Sequence, residues 1–65
     1  MRHEDVKRLA ESDPVISMPS YQASGIRGAV TQVTENFVRI DWRDSAKSYD
    51  ILRRTSPLWK HIERL

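Results

Sequence analysis

Between residues 27 and 54 the chain carries Arg27, Arg39, Arg43, Lys47, Arg53 and Arg54, with Phe37 and Tyr49 set among them. Guanidinium groups grip phosphate or carboxylate bidentately, and aromatic rings stack on bases or fill pockets on a protein. Two binding chemistries follow from these residue types. The first is contact with nucleic acid, for which the adjacent pair Arg53-Arg54 is the best local anchor. Asp41, Asp44 and Asp50 interrupt that basic stretch and would repel phosphate. The second is a protein-binding surface, in which Tyr21, Phe37, Tyr49 and Trp59 beside Arg39, Arg53 and Arg54 supply the types that dominate interface hot spots.

Catalysis finds little support in the same residues. His3 sits beside Glu4 and Asp5 near one end, and His61 sits with Lys60 and Glu63 near the other, so no metal-ligand spacing joins them. The chain has no cysteine, which excludes thiolate-bound zinc, iron–sulfur clusters and thiol chemistry. Its serines lie in no recognisable activation motif, and nucleophilic chemistry needs a positioned base. The expectation is a non-enzymatic protein with no catalytic residue, metal or cofactor.

These side chains must be positioned by a small scaffold. Sixty-five residues make one domain, 1–65, and a chain near this length buries only about 60% of its unfolded surface. An N-terminal helix over 1–12 is predicted by Val6, Leu9 and Ala10 at helical spacing and by the Glu4/Arg8 pair; Ser12-Asp13-Pro14 supplies the stop. From Val15 the pattern suggests an edge strand and then a polar loop containing Pro19. Gly25 and Gly28, three apart before a β-rich run, suggest close backbone approach at a strand entry.

The strongest local signal is a hairpin over Gly28–Arg43. Phe37 to Trp42 reads FVRIDW, which places Val38, Ile40 and Trp42 on one face and Phe37, Arg39 and Asp41 on the other. Val30 and Val33 are three apart, so both can point inward only across a bend or bulge. Tyr49 to Arg53 forms a third strand, separating Tyr49, Ile51 and Arg53 from Asp50 and Leu52. Ser56 as cap and Pro57 at the first position open a C-terminal helix over 56–65, with Leu58, Trp59, Ile62 and Leu65 at helical spacing.

The stretch GIRGAVTQV, residues 25–33, followed by FVRIDW resembles the first hairpin of small SH3-like barrels. The similarity covers residues 15–54 and comes nearest to a poorly characterised family of short phage and mobile-element proteins, through Gly25, Gly28, Val30, Val33, Val38, Ile40 and Trp42. Arg43-Asp44-Ser45-Ala46 departs from that family's usual Asn-Gly or Asp-Gly continuation. The resemblance implies a mainly β fold, a small SH3-like curled sheet or partly open barrel with short N- and C-terminal helices. SH3-like barrels serve nucleic-acid binding, peptide binding, assembly and inhibition, so the fold alone does not choose among them.

Charge narrows the choice slightly. Residues 1–20 carry a net −1 and the remainder +3, for +2 in all, well short of a polybasic tail. No apolar run approaches the roughly 20 residues that cross a bilayer. The sequence therefore reads as a cytoplasmic protein-interaction module, a regulator or inhibitor acting on a protein partner, with nucleic-acid binding as the alternative. A homodimer would supply burial that so short a chain lacks.

Overall fold

The computed structural model describes residues 1–17, 25–43 and 48–65. Helix α1 (His3–Val6) precedes strands β1 (Pro14–Ser17), β2 (Arg27–Val33), β3 (Phe37–Trp42) and β4 (Tyr49–Arg53); a 3₁₀ turn (Pro57–His61) then leads to β5 (Ile62–Arg64). All neighbours are antiparallel, in the order β4-β3-β2-β1-β5. The result is a mainly β, SH3-like curled sheet with short helical elements near both ends.

The central hairpin forms where alternation places it. Val38, Ile40 and Trp42 are buried, and they meet Val30 of β2 and Leu52 of β4 on the inner face. The expected irregularity is present: the β2–β3 register shifts between Val30 and Gln32, so Thr31 is the extra residue and Val33 returns to the inner side opposite Val38. Val6, Leu9, Val15, Trp59 and Ile62 complete the core.

Three expectations need correction. Helix α1 stops at Val6 rather than running over 1–12, because the chain is drawn to the sheet: Ser12 N–H donates to Val30 C=O at 2.7 Å and Val30 N–H to Asp13 C=O at 2.9 Å. Asp13 Oδ2 accepts from Ala10 N–H at 2.9 Å, and Ser12 takes φ 77° in the left-handed region to make the bend. Strand β1 is interior rather than an edge, since β5 covers its other side through Val15–Arg64, Ile16–Glu63 and Ser17–Ile62.

The third correction explains the second. Instead of one helix over 56–65, a single 3₁₀ segment gives way to strand β5. Ser56 does cap it, accepting from Leu58 N–H at 3.2 Å, with Pro57 at its start. Trp59 and Ile62, three residues apart, both reach the core on either geometry, so their spacing suits a 3₁₀ turn as well as an α-helix. Extending Ile62–Arg64 satisfies backbone groups of β1 that a helix would leave unpaired.

Candidate functional site

The outward side of β3 and β4 collects most of the residues singled out for binding. Register sets Phe37 opposite Arg53, Arg39 opposite Ile51, and Asp41 opposite Tyr49. Because side chains alternate along each strand, burying Val38, Ile40, Trp42, Asp50 and Leu52 forces these six outward together. Phe37, Tyr49 and Ile51 remain 40%, 44% and 53% exposed; the only other large hydrophobic so exposed among the described residues is Leu65.

One end of this face is ordered by charge. Arg39 donates from Nε and from its terminal nitrogen to the two carboxylate oxygens of Asp41, both at 3.2 Å. Its guanidinium lies 4.4 Å from the centre of the Tyr49 ring, a diagonal cross-strand cation–π contact. The bulged Thr31 donates its hydroxyl to the same carboxylate. The Thr31 and Arg39 donors hold the Asp41 carboxyl below its ordinary value of 3.8.

A pH dependence follows. A depressed folded-state value adds stability above pH 3.8 that is lost as pH falls through the lowered value. Thr31→Val removes the largest contributor, so Asp41 should titrate closer to 3.8 in the variant, as read from the side-chain carboxyl carbon by NMR. An unchanged Asp41 titration would contradict the assigned cause.

The other expected residues separate. Arg53 is exposed and makes no ion pair among the described residues. Arg54 is committed elsewhere: its guanidinium donates to Thr34 C=O at 3.1 and 2.9 Å, and its N–H to Asn36 C=O at 3.1 Å, pinning the β2–β3 turn. The two arginines flank a groove shared with Glu35, Asn36, Phe37 and Thr55. Trp59, expected on a contact surface, is instead a core residue only 1% exposed, with Nε1–H donating to Arg53 C=O at 2.8 Å. Tyr21 lies outside the described residues.

Two residues escaped sequence reasoning. Ile51 belongs with the exposed face, and the alternation of Tyr49, Ile51 and Arg53 was the signal for it. Asp50, counted above among acids opposing a basic surface, is buried and accepts from Trp42 Nε1–H at 2.7 Å. Burying a carboxylate beside an indole donor satisfies both polar groups in the core.

Among the described residues no group of three or more His, Asp or Glu is placed to hold a metal ion, and no helix is long and apolar enough to cross a membrane. The chain matches no protein-family model, no curated protein and no solved structure.

Proposed function

We propose that this chain is a non-enzymatic protein-interaction module that docks a protein partner on the outer face of β3 and β4, through Phe37, Arg39, Tyr49, Ile51 and Arg53. One observation carries the reading: three exposed large hydrophobic side chains share a single sheet face with an arginine that has no ion-pair partner among the described residues. Aromatic and arginine side chains so placed are the usual anchors of an interface. Arg39, held by Asp41 and Tyr49, is pre-ordered and loses little further freedom on binding.

Phosphate binding is less well served by this arrangement. Arg39 faces a carboxylate, and Arg54 is engaged by the Thr34 carbonyl. Regulation or inhibition of the partner by occlusion is the action that fits a module of this size, and the cytoplasm is its proposed place. An origin among short phage or mobile-element proteins belongs to the same proposal, supported by the hairpin framework from Gly25 to Trp42.

Affinity recovery from a lysate of the source cells, with and without nuclease, tests the reading. A stoichiometric protein should be retained at moderate salt after nuclease treatment. Phe37→Ala should weaken that complex by at least about tenfold, roughly 1.4 kcal/mol, while melting like the parent chain. Recovery of nucleic acid alone, with binding that collapses as salt rises, would favour phosphate contacts instead.

A further inference from the structure

Strand β4 ends the sheet, and no described strand pairs with its outer edge. Trp42 N–H donates to Ser48 C=O at 2.9 Å and Arg54 N–H to Asn36 C=O at 3.1 Å. With the β3–β4 register running through Ile40–Asp50 and Val38–Leu52, the even-numbered residues of this stretch turn their backbone groups toward β3. Tyr49, Ile51 and Arg53 therefore turn theirs to the open edge. The Arg53 carbonyl is taken by Trp59 Nε1–H at 2.8 Å and Ser56 N–H at 2.9 Å. The N–H and C=O of Tyr49 and Ile51, and the N–H of Arg53, have no partner among the described residues.

Natural edge strands are blunted by shortness, proline, lysine or bulges. The opposite edge, β5, is three residues long and carries Glu63 and Arg64. Strand β4 is five residues long, YDILR, with no proline or lysine and with half-exposed Ile51 at its centre.

We propose that this edge pairs antiparallel with the same edge of a second copy, about a two-fold axis at Ile51. The sequence of β4 is complementary to itself in that register. Ile51 meets Ile51 of the second copy, and each Tyr49 meets the other copy's Arg53, which has no ion-pair partner among the described residues. Across the joined sheets each outer row then runs Asp41, Tyr49, Arg53, Phe37, setting a cation between two aromatic rings with a carboxylate beyond. The two Arg39 side chains are kept apart by both β4 strands, roughly 14 Å at the ordinary strand spacing, beyond the screening length of about 8 Å. Symmetric pairing closes at two copies and leaves only the short β5 edges outside. This contact joins the backbone edges and leaves the outer faces of both copies on the same side of the joined sheet, so it does not require partner docking on that face.

The absence of native cysteine makes the register directly testable. Directly opposed residues in a hydrogen-bonded antiparallel pair lie about 5.5 Å apart at Cα, within disulfide range. Under mild oxidation, Ile51→Cys should form a covalent dimer at least about tenfold faster than Gln32→Cys, an exposed outer-face control on β2. Sedimentation equilibrium of the parent chain should show a monomer–dimer equilibrium, and Ile51→Lys should raise its dissociation constant at least about tenfold. A parent chain that stays monomeric at millimolar concentration, or cross-linking of Ile51→Cys no faster than the control, overturns the proposal. Should Ile51→Lys fail to fold by circular dichroism, the two cysteine variants decide. No partner protein is present in these measurements, so their failure leaves the docking face untouched.

Discussion

Gly28→Ala should lower the melting temperature by about 10–25 °C, the result of about 3 kcal/mol of overpacking in a domain where each kcal/mol shifts the midpoint by roughly 4–8 °C. Gly28 sits directly opposite Trp42 across the β2–β3 ladder. A Cβ there would lie 2.6 Å from Cε3 of the indole and 2.8 Å from the Asp41 carbonyl oxygen. Neither neighbour can yield cheaply. The indole is buried and tied to Asp50 through Nε1, and the carbonyl belongs to the backbone of the next strand. The backbone angle is not the cause, because no described glycine has positive φ.

Gly25→Ala provides the control. Its added Cβ would come 3.1 Å from Ile16 Cδ1, the end of a side chain that can rotate away. Thermal melts by circular dichroism should therefore separate the two alanine variants, with Gly25→Ala within a few degrees of the parent, a change of about 0.5 kcal/mol. A Gly28→Ala protein melting beside Gly25→Ala would refute the steric argument. The stake for binding is direct, since a shifted β3 moves Phe37, Arg39 and Asp41 with it.

The contrast between the glycines shows what could be read before coordinates. Their spacing marked a close approach, and FVRIDW marked which face of β3 is buried, because alternation is a local property of the strand. An irregularity between Val30 and Val33 was legible for the same reason, since both turn inward only across a bend or a bulge; the structure makes it a bulge at Thr31. Asp50 was not legible. A carboxylate is assigned to water unless its partner is known, and Trp42, eight residues away, becomes that partner only once β3 and β4 are paired. The hold of Arg54 on the Thr34 carbonyl and the placing of Ile51 beside Arg39 likewise depend on register, which joins residues far apart in sequence, whereas alternation alone sets Phe37 and Arg39 on the outer face of β3. The two terminal helices were overestimated for a related reason. Tertiary backbone hydrogen bonds to Val30 and to β1 outweigh the weak preference of short segments for helix.

Trp59 carries the second large expectation: Trp59→Ala should remove about 3–5 kcal/mol, a large share of the stability of the isolated chain. The ring is the largest fully buried side chain among the described residues. Truncating such a side chain costs about 3–5 kcal/mol, against a total stability of roughly 3–10 kcal/mol for a domain of this length. The 3₁₀ turn holding it sits between β4, through the Nε1–H bond to Arg53 C=O, and β5, which begins at Ile62. Losing the ring therefore loosens the closing strand that shields β1 as well as emptying the core. Trp59→Phe separates these effects. It keeps an aromatic ring, and Arg53 C=O keeps its bond from Ser56 N–H, so the loss should be about 1–2 kcal/mol with the sheet intact. Urea unfolding of both variants measures the difference. A Trp59→Ala chain as stable as Trp59→Phe would mean that Trp59 is not the plug of this core.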